Sequence, residues 1–169
     1  MSKYNEKSSI KHLMTPNCVH CVADMRAHTL KCFDATGKCK WTIPVHGEGV
    51  NGPGWEKQGG DTPPGLYKIG VITETQDSEP QSVFNAYGRF FCDLIELENQ
   101  EASLGRAGCG VHGGGSASKN PLAPNQGFFP TLGCARLLNE NLEKVFVPMC
   151  LFVKKKGGTI FFRVLWPNA

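Results

Sequence analysis

The chain has 169 residues, 40% of them hydrophobic and 20% charged, which suits one soluble domain burying about two thirds of its unfolded surface. A net charge of +3 is too small to argue for a nucleic-acid partner. The longest apolar run, 145–153, is interrupted by Pro148 and is far short of the roughly 20 residues that a membrane-spanning helix needs; the N-terminus MSKYNEKSSIKHLMT lacks the apolar core of a secretory leader. Residues 1–17 read as a polar arm, and a boundary is expected after residue 28, with Cys18-x-x-Cys21 in the arm and a globular domain over 29–169. Segments 29–33 and 38–45 flank the turn Asp34-Ala35-Thr36-Gly37 and predict a β-hairpin. The stretch 47–62 holds six glycines and one proline and predicts a long loop. Strands are predicted over 66–75 and 90–97, joined loosely through 79–85. A short strand over 109–111 delivers His112, and a Gly- and Pro-rich loop runs on to Pro130. Two last strands, 145–153 and 159–166, are joined by a solvated turn containing Lys154, Lys155 and Lys156. There are no internal repeats. Many short strands with one short helix predict a mainly β sandwich or open barrel.

His112, in CGVHGGG, and Cys134, 22 positions later in PTLGCARLLNENL, carry the chemistry. A thiol is a nucleophile as the thiolate, and a nearby imidazole can take its proton. Leu137, Leu138, Leu142, Val145 and Phe146 suit one face of a short helix, which would place Cys134 at a helix N-terminus. The N–H groups of Gly133 and Cys134 would then be unpaired and able to hold an oxyanion. The bland alternatives are a buried structural cysteine and a loop histidine, as expected of His12, His20, His28 and His46.

The stretch from His112 to Arg136 resembles the signature of the L,D-transpeptidase family, the YkuD-type catalytic domain. That signature is a histidine, a spacer, then Ser or Thr, any residue, Gly, Cys, an apolar residue, and Arg or Asn. Here its second part is Thr131, Leu132, Gly133, Cys134, Ala135 and Arg136. GDTPPGLYKIG at 60–70 and AYGRFFCDLIEL further on resemble two strands of the same family. Leu132 stands where many members have histidine, and the spacer after His112 is longer than usual. The resemblance implies a YkuD-like β-sandwich or open barrel whose short helix carries the cysteine at its N-terminus. It implies Cys134 as nucleophile and His112 as general base, oriented by a carbonyl near Gly113, with Gly133 contributing to the oxyanion site. Arg136 would steady the loop or hold a substrate carboxylate, and Thr131 would fix the loop by a side-chain hydrogen bond. Tyr87 and Trp55 are candidates for the cleft wall or for ordinary packing. The implied activity is attack on the meso-diaminopimelate carbonyl of a peptidoglycan tetrapeptide stem, loss of D-alanine and formation of a thioester. Water, an amine or a free D-amino acid would resolve it, with no cofactor and no metal.

Such an enzyme works in the periplasm or cell wall. A chain without a recognisable leader is expected to leave the cytoplasm by a non-classical route. It fits a toxin carried by a secretion apparatus and matched by an immunity protein, or a phage lysis enzyme. The rival class is a non-catalytic cell-wall-binding or zinc-stabilised module. An active-site cysteine is expected to alkylate fast at neutral pH, which would separate the two. Cys18, Cys21, Cys32 and Cys39 fall within 22 positions. They leave three states open: a Cys32–Cys39 disulfide across the hairpin, a zinc site with six residues between its second pair, or free thiols. Cys92 is expected to be a buried free thiol.

Overall fold

A computed structural model describes residues 10–168. Its strands are β1 (Val19–Asp24), β2 (Thr29–Asp34), β3 (Cys39–Pro44), β4 (Gly65–Glu74), β5 (Phe90–Glu96), β6 (Gly110–His112), β7 (Ala135–Arg136) and β8 (Ile160–Leu165). They form one eight-stranded sheet in the order β3-β2-β1-β8-β4-β5-β6-β7. Pairing is antiparallel except for β1 with β8 and β6 with β7. The sheet curls until the chain just beyond β3 meets β7, at the opposite end of the strand order. There His46 N–H donates to Arg136 O at 3.0 Å, and Arg136 N–H donates to His46 O at 2.8 Å.

A helical segment packs on the inner face of this curl. It comprises α2 (Asn139–Asn141), a π-type turn (Leu142–Phe146) and α3 (Val147–Lys155); a separate helix, α1 (Gln81–Tyr87), connects β4 to β5. Leu142, Phe146, Val147, Cys150 and Val153 recur at helical spacing, and all are buried against strand residues such as Leu30, Tyr67 and Phe162. The Phe146 ring sits edge-on to Trp41 at 6.4 Å and to Phe162 at 6.1 Å. Phe161 is adjacent to Phe162 along β8 and packs on the other side, with Ile10, Cys18 and Leu66. Among the described residues no helix is long and apolar enough to cross a membrane.

The mainly β architecture, the β2–β3 hairpin and the strands around 66–75, 90–97 and 159–166 all match their sequence patterns. Several expectations do not hold. The segment 145–153 is helix, not strand; its apolar run is consistent with either state, and Pro148 sits in the first turn, where its missing N–H is harmless. The three lysines therefore lie at a helix C-terminus, where their charge suits the helix dipole, and not in a hairpin turn. The link through 79–85 contains α1. Residues 1–9 of the expected arm lie outside the described residues, but Val19–Asp24 is an inner strand flanked by β2 and β8. A boundary after residue 28 would therefore cut the β1–β2 connection inside one sheet.

The cysteine expectations are corrected by register. Asp34 accepts N–H bonds from Thr36 and Lys38, which widens the hairpin turn, and a bulge falls between Cys32 and Phe33. Cys39 thus lies opposite Phe33, whereas Cys32 lies between Trp41 and Cys21. Cys32 is buried and Cys39 exposed, on opposite faces of the ribbon, and no disulfide joins them. Cys18 bonds Thr15 on the outer side of the sheet, so the four cysteines do not converge. Among the described residues no cluster of His, Cys, Asp or Glu is arranged to hold a metal ion.

Helical burial makes a direct prediction. Phe146→Ala should destabilise the fold by about 3–5 kcal/mol in chemical denaturation. Phe152→Ala, at an exposed site on α3, should change it by less than about 0.5 kcal/mol. Equal losses would contradict this helix orientation.

Candidate active site

The site is assembled where β5, β6 and β7 run side by side. Phe91 pairs with His112, and His112 pairs in parallel with Arg136. His112 is 2% exposed. Its ring stacks on Phe91 at 5.7 Å and takes the edge of Tyr87 at 5.1 Å. Its Nδ1 lies 2.7 Å from the Gly113 carbonyl. A carbonyl has no proton to give, so Nδ1 carries the hydrogen and Nε2 is left as a base. The same oxygen accepts a bond from Arg136 Nη1 at 3.1 Å.

Cys134 stands one residue before β7. Arg136 is its second neighbour along the strand and pairs with His112, so both Cys134 and His112 project from one face of the sheet. Both line a cavity of about 750 Å³, together with Tyr87, Thr131, Leu132 and Arg136. Thr131 Oγ1 donates to the Cys134 carbonyl at 2.8 Å and accepts from Gly133 N–H at 3.0 Å. Gly133 has φ 120°, and a Cβ there would collide with the Arg106 guanidinium. Only glycine fits both the conformation and the approach. Arg136 Nε donates to Phe129 O at 3.0 Å, so its guanidinium ties the spacer loop to β7.

Burial dominates the electrostatics. It pushes the Cys134 thiol up to about 11, although a Gly110 backbone hydrogen bond and the Arg136 and Arg106 charges favour the thiolate. Burial, aided by Arg136, pulls His112 down to about 4 against the opposing pull of the Gly113 carbonyl. The thiol and the imidazole that line this cavity are therefore both neutral across the physiological range.

Several sequence expectations change at this point. Cys134 does not open a helix: it precedes β7, and the helix begins at Asn139. The apolar Leu137 and Leu138 extend the strand into the core before the chain turns. Gly133 N–H is engaged by Thr131 and is not open to an oxyanion. Trp55 stacks on Trp166 at 6.4 Å and is not among the cavity-lining residues, whereas Tyr87 is. Fast alkylation at neutral pH is not expected of a thiol held in its protonated form.

Sequence reasoning missed the residues that hold the loops. Asn139 Oδ1 accepts from Gly114 N–H at 2.9 Å, and its Nδ2 donates to Pro121 O and Ala123 O. Gln126 Nε2 donates to Gly114 O and Leu137 O. Both amides are buried, so each is a polar brace of the spacer loop. The signal for Asn139 was its place just ahead of an apolar helical pattern, where side-chain amides serve neighbouring backbone. Gln126 and Phe91 carried no such signal.

No protein-family model and no curated protein matches the sequence. Solved structures do match. The helical cell shape determining protein Pgp2 from Campylobacter jejuni aligns with TM-score 0.56 and 19% identity, over 89% of this chain and 48% of Pgp2. Bd1075 from Bdellovibrio bacteriovorus aligns with TM-score 0.55 and 16% identity, over 80% of this chain and 44% of Bd1075. An L,D-transpeptidase from Stackebrandtia nassauensis aligns at TM-score 0.48 and 15% identity, over 89% of this chain and 58% of that one. The chain has the fold of Pgp2 and Bd1075. The chain spans about half the length of Pgp2 and Bd1075. In its β6–β7 corner this fold brings the histidine and cysteine of the sequence motif into one cavity.

Two outcomes follow from the electrostatics. Alkylation of Cys134 by iodoacetamide, located by peptide mapping, should be slow at pH 7 and climb steadily as pH approaches 11. A rate that saturates near neutrality would contradict a thiol held in its protonated form. Stability should also fall on acidification. His112 and His20 both titrate near 4 in the folded chain against 6.5 for the free side chain, each chiefly through burial. Above pH 6.5 neither state binds these protons; below it the unfolded chain takes up protons that the folded chain refuses. Their contribution is therefore complete above pH 6.5 and declines as pH falls towards 4. Melting temperature should drop between pH 7 and 4.5, less steeply in His20→Leu; a flat profile would refute the assignment.

Proposed function

We propose that the chain is a cysteine acyl-transfer enzyme of the L,D-transpeptidase type that acts on peptidoglycan stem peptides in the cell wall. The observation that carries this reading is the Gly113 carbonyl against His112 Nδ1, which leaves Nε2 as a base on the cavity shared with Cys134. Because the thiol and imidazole are both neutral at rest, proton transfer accompanies attack and does not precede it. His112 Nε2 takes the thiol proton as Cys134 Sγ bonds to the stem carbonyl carbon. The carbonyl oxygen becomes an oxyanion, and with Gly133 N–H engaged, the Cys134 N–H is its main-chain donor from the motif. Collapse of the adduct expels the D-alanine amine, which receives the proton from His112, and leaves a thioester on Cys134.

Water then gives a shortened stem, a second stem amine gives a crosslink, and a free D-amino acid gives exchange. Arg136 supports the reading in two ways. It holds the carbonyl that orients His112, and its charge favours the developing thiolate. Tyr87 packs on the imidazole and bounds the cavity beside it. Leu132, 74% exposed at the motif position where many family members carry histidine, offers the cavity an apolar edge instead of a second imidazole.

Incubation with purified muropeptides and mass spectrometry tests the proposal. Loss of one alanine, a dimer mass or exchange is the expected result for the wild-type chain. Cys134→Ala and His112→Ala should each lower turnover by on the order of a thousandfold or more while staying folded, since the two groups act as a unit. Turnover by folded Cys134→Ala at the wild-type rate would end this reading.

A further inference from the structure

Arg106 is one of two buried arginines among the described residues, the other being Arg136. It is 4% exposed, yet its guanidinium makes no ion pair shorter than 4 Å to a carboxylate among the described residues. Instead it serves four backbone carbonyls. Nη1 donates to Trp55 O and Asp61 O, each at 2.7 Å, and Nη2 donates to Gly60 O at 3.2 Å and Leu132 O at 3.3 Å. Three of those carbonyls belong to the glycine-rich loop 47–62. The fourth is two residues before Cys134.

The two loops so joined line one cavity side by side. Val50, Asn51, Gln58 and Gly59 line it from the first, and Leu132 and Cys134 from the second. Backbone pairing supports the same join from the other side: Val50 N–H donates to Thr131 O at 2.8 Å, and Thr131 N–H donates to Glu48 O at 3.1 Å. Within the first loop, the Asp61 carboxylate accepts from Gly49 and Gly54 N–H, which keeps its carbonyls turned towards Arg106. The guanidinium also occupies the place where a Gly133 side chain would be. A buried cation this close to the nucleophile's peptide is costly to keep unless it is well hydrogen-bonded, and here Nη1 and Nη2 make four bonds to carbonyls.

We propose that Arg106 is a positioning residue for Cys134: it locks the nucleophile's loop to the glycine-rich loop and places a fixed positive charge behind the sulfur. The proposal deepens the acyl-transfer reading above and rests on it for the meaning of the sulfur's position. The other groups acting on Cys134 are Arg136, Glu101 and the Cys109 thiol, with His112 on the same face of the sheet. Arg106 differs from Arg136 in kind. Arg136 binds the spacer loop and the histidine's carbonyl, and Arg106 binds the glycine-rich loop.

Arg106→Met and Arg106→Lys in the full chain test this. Melting temperature reports folding, the pH profile of Cys134 alkylation reports the charge behind the sulfur, and kcat on muropeptides reports its position. Lysine keeps the charge but brings one nitrogen where two serve four carbonyls. In the methionine variant the alkylation profile should move to higher pH; in the lysine variant its midpoint should stay near wild type. Both variants should lose kcat on the order of tenfold, the scale expected for a displaced nucleophile, and both should change the alkylation rate at fixed pH several-fold. A folded methionine variant with wild-type profile and wild-type kcat overturns the proposal. If that variant does not fold, the lysine variant decides, and unchanged kcat and unchanged alkylation rate overturn it. Alkylation needs no substrate. A wild-type chain that turns over no muropeptide, alongside shifted alkylation in the variants, would sink the peptidoglycan reading and leave the role of Arg106 intact.

Discussion

The Gly113 carbonyl is the point on which the site depends. It accepts His112 Nδ1 and Arg136 Nη1 together, so one oxygen fixes the tautomer of the base and the position of the nearest cation. A carboxylate in that place would draw the imidazole towards its charged form and lower the barrier to an ion pair at rest. A carbonyl orients without charging. Burial then keeps both side chains neutral at physiological pH, with His112 pulled down to about 4 and Cys134 pushed up to about 11.

Holding a neutral pair in register demands stiffness from segments that have little secondary structure. The cavity walls are loops, and loops in a compact fold leave many backbone groups unpaired. This chain resolves the problem with buried polar side chains that each serve several carbonyls or amides. Arg106 and Asp61 do so for the glycine-rich loop, and Asn139 and Gln126 for the spacer after His112. Each brace is itself satisfied several times over, which is the condition under which buried polar groups specify a structure instead of weakening it. Glycine at position 133 belongs to the same scheme, because its missing side chain is what admits the Arg106 fork.

The remaining thiols reinforce the contrast between chemistry and packing. Cys21, Cys32, Cys92 and Cys150 lie in the main core and behave as small apolar residues. Burial holds the Cys92 and Cys150 thiols well above their ordinary range, as it does Cys21, whose nearest effect beyond burial is the Cys32 thiol across the strand pair. What distinguishes Cys134 is not a lower affinity for its proton but its access to a cavity that also holds a base.

The strands, the hairpin and the two candidate side chains, His112 and Cys134, were legible in the sequence because each rests on local information. Short runs rich in apolar and aromatic residues mark β4, β5 and β8, turn residues mark the β2–β3 connection, and a short motif marks His112 and Cys134. Local information failed where two states satisfy the same pattern. An apolar run of nine residues over 145–153 suits a strand or a helix, and only the concave face of the sheet, which offers Tyr67 and Phe162 to Phe146, decides for helix. The same holds for the cysteines: one bulge shifts Cys39 away from Cys32, and spacing along the chain cannot register it. The sequence by itself determined which residues could do chemistry and that the chain is mainly β. The tertiary structure alone decided that Gly133 N–H is already occupied and that Arg106 reaches the carbonyl two residues before Cys134. The Gly133 contact is a local turn whose geometry residue spacing does not reveal, whereas the Arg106 contacts bring Trp55 and Leu132, 51 and 26 residues away along the chain, onto one guanidinium.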